Sequence, residues 1–258
     1  MTDYALPNIN FDLTGQVALV TGTTSGLGWR FARVLAKVGA NVVITGRRKE
    51  RLDELKAVIA QEGGTALPLV LDMTNNDDIV KVVQQAEDAF GTVTILVNNA
   101  GIPDAQRAHK MANEFIDKVF DTNLRGPFVL SCEVARRLIA AGKPGRMVNI
   151  SSVGGFRYDG NGAALYSITK AGIARMTECL AVEWSRYNIN VNAIAPGAFH
   201  SEMMDGMVSR MGDITRAFPR GRICDPAQLD STLLYFCSPA SDAVTGSIVK
   251  VDDGQGGR

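Results

Sequence analysis

Seven short, mostly β-branched apolar runs recur along the chain: QVALVT (16–21), NVVIT (41–45), ALPLVL (66–71), VTILV (93–97), RMVNI (146–150), NINVNAI (188–194) and SIVKV (247–251). They are nearly continuous in hydrophobicity, as strands covered on both faces should be, rather than alternating. Between them lie stretches of helical character near 27–38, 48–61, 75–90, 111–140, 164–186 and 226–238. Strand-then-helix order with strands this apolar predicts an α/β fold: a doubly wound parallel sheet of about seven strands, flanked by helices on both faces. No repeat, low-complexity linker or charge block interrupts the order, so residues 1–258 are expected to form one domain. The segment 198–225 breaks the rhythm: it is long, Met-rich and bounded by Pro196-Gly197 and Pro219. Long excursions of this kind are usually functional, which predicts a substrate-binding lid near 198–220.

Charge and cysteine usage narrow the partners. Lys+Arg and Asp+Glu are both 27, so no net field draws the chain to nucleic acid or an anionic membrane. A small molecule bound at a local site is the expected partner. Cys132, Cys179, Cys224 and Cys237 are scattered, and His109 and His200 are the only histidines, so no metal site and free thiols are expected. The N-terminus lacks a basic region followed by an apolar one, and no apolar run reaches the ~18–20 residues of a membrane span. These features predict a cytoplasmic protein.

The first strand runs directly into TGTTSGLGWRFARVLAKVG. Gly22, Gly26 and Gly28 thus lie between a strand and a helix, where a dinucleotide pyrophosphate can meet backbone N–H groups and a helix N-terminus. Glycine there permits tight turning and close approach of ligand to main chain. The arrangement points to a Rossmann-type fold with the hydroxyls of Thr23, Thr24 and Ser25 beside the cofactor. The spacing, T-G-x-x-x-G-x-G, is not the widespread G-x-G-x-x-G fingerprint.

In AALYSITKAGIARM (163–176), Tyr166 stands four positions before Lys170, one turn away on the same helical face. A free phenol titrates at about pH 10, too high for ready proton exchange at neutral pH. An ammonium nearby favours the phenolate, so Lys170 is expected to lower that value and make Tyr166 a general base or acid.

Taken with NNAG at 98–101, these motifs resemble the short-chain dehydrogenase/reductase family, in its single-domain branch, over nearly the whole chain from Gly15 to about Gly254. The resemblance implies an oxidoreductase interconverting a secondary alcohol and a ketone, with Asn123, Ser152, Tyr166 and Lys170 as its catalytic set. Ser152, preferred to Ser151, would hold the substrate oxygen beside Tyr166. Asn123 would hold a water that relays protons toward Lys170, which would also bind nicotinamide-ribose hydroxyls. Ser152 and Tyr166 are 14 positions apart, one more than is common in the family, which points to a one-residue insertion in VGGFRYDGNGAAL. The implied cofactor contacts are Gly22, Thr24, Ser25, Gly26, Leu27 and Gly28 at the turn, Asp72 and Met73 at the adenine, and Asn99, Ala100 and Gly101 along the ligand. Tyr166 and Lys170 add to them, with Pro196, Gly197 and Ser201 at the carboxamide. Strand two ends in TGRRKE, with Gly46 where NAD enzymes keep an acid for the ribose 2′-OH, followed by Arg47 and Arg48. A guanidinium pairs with a 2′-phosphate, so NADP(H) is the expected cofactor, with Arg47 reading the phosphate and NAD(H) still possible. The family also implies a homotetramer or homodimer.

Phe199, Met203 and Met207, with Met204, Met211 and Phe218, would line the substrate pocket with Ser152 and Tyr166. They predict an apolar cyclic, aromatic or steroid-like ketone or alcohol. Met203, Met207 and Met211 are also spaced to dock the segment on the core. Arg157, Arg210 and Arg216 leave open a substrate carboxylate or phosphate, as would suit an NAD-dependent dehydrogenase of a sugar acid. A hydroxysteroid dehydrogenase and a dinucleotide sensor without turnover are the other readings.

Overall fold

Residues that are apolar on both sides of a strand need a layer on each face, and the chain supplies two. The computed structural model describes residues 9–158, 160 and 162–256. Its regular elements are β1 (Val17–Val20), α1 (Gly26–Lys37), β2 (Asn41–Gly46), α2 (Lys49–Gln61), β3 (Thr65–Val70), α3 (Asn76–Phe90) and β4 (Ile95–Asn98). They continue with α4 (Asn113–Phe120), α5 (Gly126–Ala141), β5 (Gly145–Ile150), α6 (Ala164–Trp184), β6 (Ile189–Pro196), α7 (Glu202–Met211), α8 (Asp230–Cys237) and β7 (Ile248–Val251). The seven strands form one sheet in the order β3-β2-β1-β4-β5-β6-β7. Every pairing is parallel, with Val17 opposite Asn41, Ala18 opposite Ile95 and Val97 opposite Val148. The expected strands all form, with ends shifted by one or two residues.

Alternate strand residues feed the two layers. Ala18, Val20, Val42, Ile44 and Val97 face α1, α2 and α8 through Phe31, Leu35, Leu55, Ile59 and Phe236. Val17, Leu19, Val43, Leu96 and Val191 face α3, α5 and α6 through Ile79, Val83, Leu130, Leu138 and Leu180. Each fully buried side chain of this size contributes about 1.5–3 kcal/mol. Helix ends follow local chemistry: Asn75 caps α3 by accepting from the Asp77 and Asp78 N–H groups, and α5 stops at Gly142 in the left-handed region (φ 63°).

Two helices differ from expectation. The stretch 111–140 is not one helix: α4 and α5 are joined by a π-helical turn, Asp121–Arg125. The extra residue per turn brings Asn123 inward to 1% exposure. Gly126 then passes so close to the turn after β3 that a Cβ there would stand 2.5 Å from the Met73 carbonyl oxygen. The last expected helix begins as a short 3₁₀ turn, Pro226–Leu229, capped by Asp225, before α8. No helix among the described residues is long and apolar enough to cross a membrane.

Candidate active site

In this strand order the winding reverses between β1 and β4, so the loops leaving their C-terminal ends part and open a crevice. A cleft of about 1140 Å³ occupies it, running from the Gly-rich turn past Ser152 and Tyr166 to α7.

At one end, the turn after β1 packs on itself and on the 99–100 backbone. Gly22 has φ +70°, and a Cβ there would meet the Ala100 Cα at 2.8 Å; on Gly28 it would meet the Gly22 carbonyl oxygen at 2.3 Å. Asn99 lines the cleft and also braces the turn, donating to the carbonyls of Thr21 (2.9 Å) and Gly22 (3.2 Å). Asn98 serves the sheet, donating to Ser131 and Asn149. Ser25 precedes α1, but no side chain caps that helix start. First-turn N–H groups without a protein acceptor, beside Thr24, Ser25, Gly26 and Leu27 in the cleft wall, fit a pyrophosphate.

The next stretch of wall is made by Gly46, Arg47, Arg48, Asp72 and Met73. A Cβ on Gly46 would stand 2.6 Å from the Thr24 methyl, so the position that would hold an acid is filled by a neighbour. Arg48 is engaged: it donates to the Thr24 hydroxyl at 2.9 Å and pairs with Glu202 at 3.1 Å. Arg47 is exposed at the cleft and forms no ion pair among the described residues. Asp72 accepts from the Thr74 N–H and hydroxyl at 3.0 and 2.9 Å, shaping the turn after β3. The Thr74 N–H, its hydroxyl and the Arg47 charge hold its carboxyl below the usual range against the opposing effect of burial.

Ser152, Tyr166 and Lys170, three of the four residues expected to carry chemistry, line the middle of the cleft, and Asn123 is buried behind its wall. Ser151 turns away, donating to the Lys170 carbonyl at 2.8 Å. Ser152 starts a 3₁₀ turn, accepts from the Gly154 N–H at 3.0 Å and lies beside the Tyr166 side chain in the cleft wall. Gly155 holds that turn flat on α6, where a Cβ would come within 2.8 Å of the Lys170 carbonyl carbon. Asn123 accepts from the Ile102 N–H (2.8 Å) and donates to the Ile102 carbonyl (2.9 Å), and a Cβ on Gly101 would lie 3.5 Å from its Oδ1 and 3.6 Å from Lys170 Nζ. The insertion expected between Ser152 and Tyr166 falls in a loop of which residues 159 and 161 lie outside the described residues.

The electrostatics of Tyr166 differ from expectation. Burial raises its phenol above the usual value, the Ser152 hydrogen bond works the other way, and the Asp104 charge raises it further. Lys170 does not lower it, because its ammonium is 5.6 Å from the ring centre and aims at the Ile150 carbonyl (2.7 Å). Lys170 is itself brought down to about 8 by burial.

At the far end, Ser201 caps α7 by accepting from the Met204 N–H, and crosses the Gly-rich turn so closely that a Cβ on Gly26 would lie 3.1 Å from it. Pro196 and Gly197 lie beneath. No residue of α7 is buried, so Met203, Met207 and Met211 line the cleft and do not dock α7 on the core. Phe199 is part of the cleft wall. It is 3% exposed, so most of its surface packs in the core with Cys224 and Leu229, and its backbone bridges to Cys224.

Three cleft residues had no signal in the local pattern. Asp104 binds the start of α6, Gln255 accepts from the Ala198 N–H at 2.6 Å, and Glu202 closes on Arg48. Their partners are 61, 57 and 154 positions away, beyond any periodicity.

The sequence pattern of short chain dehydrogenases matches residues 16–211. The chain is 34% identical to gluconate 5-dehydrogenase of Gluconobacter oxydans over 95% of its own length and 96% of that protein's. It is 36% identical to the 3-oxoacyl-acyl-carrier-protein reductase of Rickettsia bellii, covering 94% and 98%. Among solved structures, an actinorhodin polyketide ketoreductase with NADPH superposes with a TM-score of 0.90 at 32% identity, over 94% of this chain and 98% of that one.

Proposed function

The chain belongs to the short chain dehydrogenase family of NAD(P)-dependent oxidoreductases, and from that premise we propose that it is an NADP(H)-dependent reductase of an apolar, cyclic or aromatic ketone. The observation that carries this reading is the juxtaposition of Ser152, Tyr166 and Lys170 in one wall, set where the glycine-lined half of the cleft meets the methionine-lined half. Bound NADP(H) supplies or accepts the hydride. The α1 start with Thr24, Ser25 and Leu27 would hold its pyrophosphate, Arg47 its 2′-phosphate, Asp72 and Met73 its adenine side. Ala100 and Gly101, with Pro196, Gly197 and Ser201, would border the nicotinamide half. Ser152 would hold the substrate oxygen, and Tyr166 would give it a proton in reduction or take one in oxidation. Lys170 would bind the nicotinamide-ribose hydroxyls, with Asn123 linking it toward solvent.

NADP(H) over NAD(H) follows from the blocked Gly46 position and the available Arg47. The substrate class follows from the exposed methionine face of α7, which with Phe218 forms a wall for the cleft as a lid. A hydroxy acid is the second reading, since Arg157 and Arg210 line the same cleft and one relative is a gluconate dehydrogenase. Exposed Phe128 (α5), Ile168 and Val182 (α6) favour a homodimer or homotetramer through these helices.

The deciding experiment measures kcat/KM for cyclic and aromatic ketones and for sugar-acid ketones, with NADPH and with NADH. Faster turnover of apolar ketones with NADPH supports the proposal. Preference for the sugar acids would replace it with the second reading, and preference for NADH would overturn the cofactor assignment.

A further inference from the structure

Helix α6 carries both Tyr166 and Lys170, yet its own sequence does little to fix where it begins. Its N-cap is Ala163, no cap side chain bonds the first turn, and that turn holds no acid. The missing acceptor comes from the loop after β4. Asp104, 2% exposed, accepts from the Leu165 N–H at 2.8 Å and the Tyr166 N–H at 3.1 Å through Oδ2, and from the Ala105 N–H at 2.8 Å through Oδ1. The next residue, Ala105, is held at φ 45°, a conformation an alanine keeps only where its surroundings determine it. The contact extends one step further: Gly162, at φ +71°, approaches Gln106 so closely that a Cβ would lie 3.4 Å from its carbonyl oxygen. Loop and helix start are therefore pinned together on both sides of the Asp104 carboxylate.

A hydroxyl or an amide could cap a helix, but a buried carboxylate also sets a negative charge behind the first turn. We propose that Asp104 is a positioning residue: it fixes the first turn of α6 so that the Tyr166 side chain stays beside Ser152. The same carboxylate, one hydrogen bond from the Tyr166 backbone, also opposes ionisation of the phenol. This rests on the reading of Tyr166 as the proton donor. The groups facing Tyr166 are Lys170 from its own helix, 5.6 Å from the ring and turned to the Ile150 carbonyl, Ser152 from the end of β5, and Asp104 from the loop after β4. Ser152 favours the phenolate and Asp104 opposes it.

The test compares Asp104→Asn and Asp104→Ala in the full chain by three readouts: amide exchange at Leu165 and Tyr166, ultraviolet titration of the phenol, and kcat and KM for NADPH-dependent reduction of the best ketone. Subtracting the titration of each chain's Tyr166→Phe counterpart isolates Tyr166. In Asp104→Ala, both amides are expected to exchange about tenfold faster, and kcat to fall about tenfold with KM for NADPH nearly unchanged. Asparagine keeps an acceptor for the Leu165 and Tyr166 amides but not the charge. Asp104→Asn is therefore expected to retain most exchange protection while the Tyr166 titration moves to lower pH. A titration that stays in place in Asp104→Asn overturns the electrostatic half, and unchanged exchange in Asp104→Ala overturns the positional half. If Asp104→Ala does not fold, the asparagine variant still decides. Exchange and titration need no turnover, so a wild-type chain inactive on every ketone would remove the functional reading and leave this test standing.

Discussion

The ammonium of Lys170 donates to the carbonyl oxygen of Ile150 at 2.7 Å, at a position only 4% exposed. No carboxylate pairs with it among the described residues, and burial lowers it from 10.5 to about 8. Between those values the folded chain binds fewer protons than the unfolded one, so this group's contribution to stability is fullest above 10.5 and is lost as pH falls through about 8. Lys170→Met is therefore expected to stabilise the cofactor-free protein at neutral pH, by about 2 kcal/mol, while abolishing turnover. Calorimetry across pH checks this: the gain should shrink as pH rises from about 8 toward 10.5. A variant less stable than wild type at neutral pH would show that the Ile150 hydrogen bond outweighs the burial of charge.

Tyr166→Phe removes the proton donor and little else, since the ring already packs in the cleft wall. Its expected kcat is about 10²–10⁴-fold lower, with NADPH affinity retained. Loss of reduced-nicotinamide absorbance and equilibrium binding report the two separately. Undiminished turnover would exclude Tyr166 as the acid.

Arg47 faces the cleft while Arg48 is held by Thr24 and Glu202, so the two arginines should not be equivalent. Arg47→Ala is expected to lower kcat/KM for NADPH by about 10–100-fold and leave NADH nearly unchanged, as one charge-assisted contact with a phosphate would predict. Equal losses with both cofactors would mean that the residue does not read the 2′-phosphate.

A methyl group on Gly28 would stand 2.3 Å from the Gly22 carbonyl oxygen and 2.4 Å from the Asn99 amide nitrogen. Gly28→Ala is expected to destabilise the fold by about 1–3 kcal/mol and to abolish cofactor binding, because the turn must open to admit it. Denaturant unfolding and dinucleotide titration measure the two effects. Gly63→Ala provides the contrast: it lies at a surface turn with no atom within 4 Å, so its cost is backbone strain at φ +84°, and cofactor affinity should not change.

Much of the site was legible because its parts are local. The Gly22–Gly28 turn, the Tyr166–Lys170 pair and the Ser152 strand end each lie within a few residues of a strand or helix boundary. The burial of Phe199 was not legible for the converse reason: its backbone bridges to Cys224, 25 positions later, which no short window contains. The π-helical turn at Asp121–Arg125 was likewise invisible, since its residues fit an uninterrupted helix equally well. The acidity of Tyr166 was misjudged because spacing along a helix records proximity to Lys170 but neither burial nor direction.

Periodicity and turn chemistry by themselves determined the β/α order, the two-sided burial of the strands and the residue types offered to a dinucleotide and a ketone, because these depend on neighbours within about one or two turns of chain. Only the tertiary structure decided that Ser151 bonds the Lys170 carbonyl, that Gly46 is closed by Thr24, that Arg48 clasps Glu202, and that Asp104 anchors the helix of Tyr166. Those contacts exist because the strand order sets the C-terminal ends of β1, β4 and β5 side by side, bringing together loops that the sequence keeps far apart.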